Sequence, residues 1–318
     1  MPEAKRIRPR WYDVLLTAAV SAAAAPPQLF FYGGQAVIEG VLMRGPHEYA
    51  VAARKPDGTI TISRDVLRSR LYTSKFWRLP FARGVAGLGE MLHLGMRAMQ
   101  WSANIQLGDE AEITAGTMRV TIGFSLIFSL GLVIGLPLLA GSVLHSGNSH
   151  SVVRILIEGV ARAAILLGYL MLIGFISSVH RVFEYHGAEH KAINCLESGD
   201  PVDVEHVKKS SRLHPRCGTG FIVVVALVST IVFSPLAVFP IWVRVLLQIA
   251  LVPVVAAVSY EAIRALAKIR HTGVGRVLLA PILAAQLLST REPSDTQMEV
   301  AIAALDAVRG DAANLVTE

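Results

Sequence analysis

Residues 120–144 form an uninterrupted run of twenty-five without one charged side chain. Crossing about 30 Å of hydrocarbon as a helix takes roughly 20 such residues, because a backbone removed from water must hydrogen-bond to itself. Pro137 inside the run predicts a kink rather than an end. Three further stretches meet the same requirement. Residues 152–179 are longer, but Arg154, Glu158 and Arg162 recur at four-residue spacing in their first third. That spacing stacks them on one helical face, where an intrahelical ion-pair ladder is expected, and the uncharged part begins at Ala163. Residues 218–235 and 241–259 are divided by a short segment bounded by Pro235 and Pro240, which predicts a tight helical hairpin. The expected class is mainly α: a polytopic membrane protein with four transmembrane helices and a small α+β cytoplasmic portion.

Composition agrees with lipid as the solvent. Over 318 residues the chain is 53% hydrophobic and 17% charged, too apolar for an ordinary soluble protein. A net charge of +6 would suit nucleic acid, but the basic residues are scattered through short segments with no dense tract, so that partner is set aside. Two cysteines, Cys195 and Cys217, make no disulfide framework and are read as buried thiols or ligands. Lys and Arg number fifteen before residue 120, none in 145–151, six in 181–216 and six from residue 260 onward. By the positive-inside rule both termini and the middle connection face the cytoplasm.

The expected organisation has four parts. Residues 1–30 are an N-terminal extension in which Lys5, Arg6, Arg8 and Arg10 precede a short apolar run; its order resembles a signal peptide, but its length and the basic segment that follows favour an interfacial helix. Residues 31–119 hold a glycine-rich motif, a β-hairpin over 49–63 about Asp57-Gly58, and an interfacial helix over 80–106. Residues 120–259 are the four-span region, with a metal-site loop at 180–217. Residues 260–318 are cytoplasmic, with an apolar run over 277–288 too short to span and a helix opened by a capping box at Ser294 and Gln297.

Chemistry concentrates in the 180–217 connection. There His186-Gly-Ala-Glu189-His190 places two imidazoles one helical turn apart, so both can reach one ion while Glu189 flanks it. In zinc hydrolases with the H-x-x-E-H order, the glutamate is the base that takes a proton from water rather than a ligand. A third ligand is then needed, and His214, Cys217 and Glu197 are candidates; a site using His186, His190, His214 and Cys217 together would be closed and structural. The alternative account of this segment is a juxtamembrane helix carrying polar side chains among lipid phosphates. The run Gly33-Gly-Gln-Ala-Val-Ile-Glu39-Gly-Val-Leu-Met-Arg44 lacks the Lys-Ser/Thr of a phosphate loop and reads as a tight turn beside a buried strand, from which Glu39 and Arg44 could reach the site. Arg216 or Arg44 is a candidate to steady an anionic substrate.

The chain resembles the YqhQ-like family of bacterial membrane proteins. The resemblance rests on residues 33–46, on His186-Gly-Ala-Glu-His-Lys191, on His214-Pro-Arg-Cys-Gly-Thr-Gly220, and on residues 287–293 with 297–302. It implies a multi-pass protein of the bacterial inner membrane, described as a predicted metal-dependent enzyme, with His186, Glu189, His190, His214 and Cys217 as metal-site residues. It implies no substrate. The expected function is metal-assisted hydrolysis at the cytoplasmic membrane surface, with a divalent ion, most simply zinc, and a lipid-linked molecule or membrane protein as substrate. The competing expectation is a non-catalytic scaffold or regulator with a structural metal.

Overall fold

The computed structural model describes residues 32–67, 74–108, 114–144, 152–269 and 272–309. The interfacial helix expected in residues 1–30 lies outside them.

Short strands come first: β1 (Gly33–Val37), β2 (Gly40–Arg44), β3 (Glu48–Arg54) and β4 (Ile60–Val66) form an antiparallel meander in that order. The expected hairpin is β3 and β4, while the glycine-rich motif is a second hairpin turned through Glu39, which sits at φ 51°. Successive side chains of a strand face opposite ways. Val41, Met43, Ala50 and Ala52 accordingly enter one apolar cluster, and Leu42, Tyr49 and Val51 another. Helix α1 (Ala82–Leu107) covers the second face with Leu94 and Ala98.

Lipid dictates the next helices. Among the described residues, four helical segments are long and apolar enough to cross a membrane: Gly116–Leu144, Val152–Ile173, Gly218–Val238 and Ile241–Leu266. The first consists of α2 (Ala115–Leu130), a π turn (Gly131–Gly135) and α3 (Leu136–Leu144). The irregularity expected at Pro137 is thus the wide turn just before it, which clears the carbonyls that the proline ring would meet. Large apolar side chains such as Val120, Phe124, Ile127 and Ile231 point outward, more than 70% exposed. That surface is stable only against hydrocarbon.

The second span corrects the sequence reading. Helix α4 (Val152–Ile173) stops short of residue 179, and the chain turns through Gly174, Phe175 and Ile176 before α5 (Ser177–Ser198) begins. A side chain at Gly174 would press on the Met171 carbonyl and the Phe183 ring. Hydropathy does not register such a corner, because Phe175 and Ile176 remain apolar and exposed at it. The ion-pair ladder is also only half formed: Arg154 meets Glu158 at 3.3 Å, but Arg162 turns instead to the Val133 carbonyl.

Helix α5 is followed by the short α6 (Val204–Lys209), then α7 (Gly218–Phe233), a 3-10 turn (Ser234–Val238) and α8 (Ile241–Lys268), the expected hairpin. Helix α9 (Gly273–Ser289) is the apolar run too short to span; Ile282 and Leu279 pack it along Val224 of α7. Helix α10 (Asp295–Arg309) starts at the expected capping box, with Ser294 N–H donating to Gln297 Oε1 and Gln297 N–H to Ser294 Oγ. Met298, Ala301 and Leu305 of α10 close the first face of the sheet together with Tyr185, Ala188 and Ala192 of α5.

Gly187, between the two motif histidines, explains itself in this packing. A Cβ there would collide with the Arg291 carbonyl, whereas one at Gly168 in α4 would meet nothing within 4 Å. Gly187→Ala is expected to cost about 1–3 kcal/mol by overpacking, while Gly168→Ala is neutral or stabilising by about 0.5–1 kcal/mol. Thermal unfolding of both variants in detergent checks this, and equal midpoints would contradict the packing.

Candidate metal centre

Helix α5 has few apolar residues for a helix so thoroughly covered, and that mismatch builds the site. One face rests on the sheet and α10. The face bearing His186, His190, Asn194 and Glu197 looks onto the segment between α6 and α7. Buried polar groups need partners, and here backbone carbonyls supply them. Lys191 Nζ donates to Lys208 O and Ser210 O, and Asn194 Nδ2 to Ser211 O and Leu213 O. His190 Nδ1 sits 2.7 Å from Arg212 O, and His186 Nδ1 2.8 Å from Ser289 O. Carbonyls only accept, so both Nδ1 atoms carry the proton. Both Nε2 atoms face the Cys217 sulfur, and there a metal ion would take the place of a proton.

Cys217 meets them from the far side. It caps the N-terminus of α7, its Sγ accepting from Thr219 N–H, and lies 3.2 Å from His186 Nε2. Ligand atoms of His186, His190 and Cys217 all lie within 4.8 Å of one another. Zinc bonds of about 2.0–2.3 Å draw tetrahedral donors a little closer than that, so small side-chain shifts suffice. The donor set suits a borderline-soft divalent ion.

Glu189 stands beside the cluster and not in it. It is 4% exposed; Gly34 N–H donates to its carboxylate, and Oε2 has no hydrogen-bond partner. Gly34 is a site residue the sequence reading missed. Its glycine pair was the signal, since a side chain there would press on Glu189 as well as on the Leu42 carbonyl.

The other candidates fall further out. The His214 ring centroid is 5.7 Å from that of His190, and its Nε2 is 3.6 Å from Glu197 Oε2. His214 therefore stays outside the three-donor group. Its backbone is clamped by Gln286 of α9, which accepts from His214 N–H and donates to its carbonyl. Glu197 pairs with Arg216. Glu39 pairs with Arg181 and accepts from Tyr185, and Arg44 pairs with Glu90 at 2.8 Å, so neither strand residue reaches the cluster. Spacing along the chain had no means of revealing those partners.

The electrostatics favour an imidazolium–thiolate pair between His186 and Cys217, whose shared proton a cation entering the cluster would displace. Burial opposes charge on His186, but Cys217 and Glu189 outweigh it and lift the imidazole to about 9. Burial likewise favours the neutral Cys217 thiol, yet His190 and His186 bring it well below the ordinary thiol range. The helix terminus adds to that preference for an anion. Burial raises the Glu189 carboxyl above its ordinary value, against the pull of both histidines. His214 is pushed down to about 4, chiefly by burial, and is neutral at pH 7. Glu197 resists burial because His214 and Arg216 draw it down to about 2.

A family profile described as "Protein of unknown function (DUF1385)" matches residues 79–311. The uncharacterized protein YqhQ of Bacillus subtilis (strain 168) is 35% identical over 286 residues, covering 85% of this chain and 90% of that protein. The chain belongs to the YqhQ-like DUF1385 family. The match spans α1 through α10, and so takes in every residue of the His–Cys cluster and Glu189, while Gly34 and the sheet precede the profile's bounds. No solved structure matches.

In metal-free protein carrying Cys195→Ser, the thiolate absorbance of Cys217 is expected to persist well below the ordinary thiol range and to shift to higher pH in His186→Ala. In the parent, Cys195, which burial pushes up, is expected to add none at neutral pH. An ultraviolet pH titration decides it; an ordinary thiol midpoint for Cys217 would contradict the pairing.

Proposed function

We propose that this protein is a metal-dependent hydrolase of the bacterial inner membrane, working at the cytoplasmic surface on a lipid-linked molecule or a juxtamembrane protein segment. The observation that carries the reading is the set of three donors, buried His190 and Cys217 with half-buried His186, beside a carboxylate oxygen with no partner of its own. Three protein donors leave a fourth position for water or substrate, the mark of a catalytic site over a structural one. A divalent ion held there, most simply zinc, supplies a Lewis acid that lowers the pKa of water at that position.

The chain's own residues do the rest. Ser289 O and Arg212 O fix the two rings and their tautomers. Glu189, with its raised pKa, is suited to take a proton from the attacking water and return it to the leaving atom. Gly34 N–H holds one carboxylate oxygen so that Oε2 remains for the proton. Arg216, tied to Glu197, places positive charge beyond His214 for an anionic group.

The location supports the substrate class. The basic flanks of α5 and the neutral far loop orient it toward the cytoplasm. His186 follows the start of α5 by nine residues, about 14 Å along its axis, within reach of a headgroup at the apolar corner of Phe175 and Ile176. The scaffold reading requires His214 as a fourth donor, and its distance from the cluster weighs against that.

Purified in detergent, the parent chain is expected to hold about one divalent ion. His186→Ala should lose it. Glu189→Gln should keep the ion and, once a substrate is in hand, lower kcat by roughly 10²–10⁴-fold. Elemental analysis of all three comes first, and folded parent protein without a stoichiometric ion would overturn the proposal.

A further inference from the structure

A second polar cluster lies inside the bundle, at the end of the helices opposite Cys217. Glu158 of α4 is shared by two arginines, Arg154 one turn before it at 3.3 Å and Arg244 of α8 at 2.6 Å. Arg162, one turn deeper, has no carboxylate: its Nε donates to the Val133 carbonyl of the π turn, and its guanidinium lies 5.2 Å from the Phe233 ring centroid. Three guanidiniums thus stand against one carboxylate. Arg162 is 1% exposed, Arg244 2% and Glu158 5%.

The donors are also incompletely used. Arg162 Nη2 and Arg244 Nε are buried without a hydrogen-bond partner. Gln248, one turn below Arg244 on the same face of α8, is fully buried with both its amide oxygen and its amide nitrogen unpartnered. Orphaned groups of this kind are rare in folded proteins, and charges inside a bilayer are paired or mark a binding path. An intrahelical ladder satisfies neither the excess of positive charge nor the vacant donors. A bound anion satisfies both.

We propose that Arg162, Arg244 and Gln248 form an intramembrane binding site for an oxyanion of the phosphate class, carried by a lipid headgroup or free in solution. Glu158 organises the site by holding Arg154 and Arg244 in place. Pro137 serves it as well, since it has no N–H to give the Val133 carbonyl four residues back, and that carbonyl anchors Arg162. Guanidinium forks match phosphate oxygens in geometry, and Gln248 adds a neutral donor. This site is separate from the His–Cys cluster and does not depend on its being catalytic.

The test uses the full chain in detergent, with unfolding midpoints measured on adding phosphatidylglycerol, phosphatidylcholine or inorganic phosphate. The parent is expected to be raised by several degrees by phosphatidylglycerol over phosphatidylcholine if the source is a lipid, or by phosphate alone if the anion is free. The rise should disappear in Arg162→Gln and shrink in Gln248→Leu, which removes no charge and keeps the measurement available if the arginine variant does not fold. Metal content should be unchanged in both. No rise in the parent, or an equal rise in parent and Gln248→Leu, would overturn the site, the latter being the mark of general attraction to a basic surface.

Discussion

The structure turns on one constraint: a polar helix has been buried. Helix α5 places Glu189, His190, Lys191 and Glu197 out of water, and each would be strongly destabilising without a partner. The solution is a connection, residues 208–214, laid along the helix so that its carbonyls accept from Lys191, Asn194 and His190 in turn. That segment brings His214 and Cys217 with it. The ligand geometry is therefore a product of satisfying α5, and the sheet, α9 and α10 exist in this arrangement to cover its remaining sides. On α5 itself the packing leaves Glu189 Oε2 without a partner, beside the cluster.

Much of this was legible in the residues because its causes are local. Hydropathy found the four spans, since each needs only length and the absence of charge. The capping box at Ser294, the Asp57-Gly58 hairpin and the one-turn spacing of His186 and His190 are short-range patterns that survive into the fold. Cys217 was legible too as one of three candidate third ligands, although nothing in the spacing set it apart from His214 and Glu197.

What the sequence withheld depends on distant neighbours. The corner at Gly174 is packed against the Phe183 ring and the Arg291 guanidinium, neither of which alters the hydropathy of the run. Gly34 enters the site from a strand some 150 residues upstream of Glu189, and Ser289 and Gln286 enter from about 70–100 residues downstream. Glu39 and Arg44 looked available because nothing along the chain announces Arg181 or Glu90 as their partners. The stripe of Arg154, Glu158 and Arg162 was legible from its spacing, but Arg244 as a partner of Glu158 was not.

The two polar centres differ in what holds them. Backbone carbonyls and a helix terminus hold the His–Cys group in place. Guanidiniums in the bundle lean on one carboxylate and one π-turn carbonyl, an arrangement short of negative charge.

X-ray absorption at the metal edge of purified parent protein tests the central claim most directly. The account predicts a first shell of two imidazole nitrogens, one sulfur and one light atom from outside the protein, with the sulfur gone in Cys217→Ser. A shell without sulfur, or one whose fourth donor is the His214 imidazole, would contradict it.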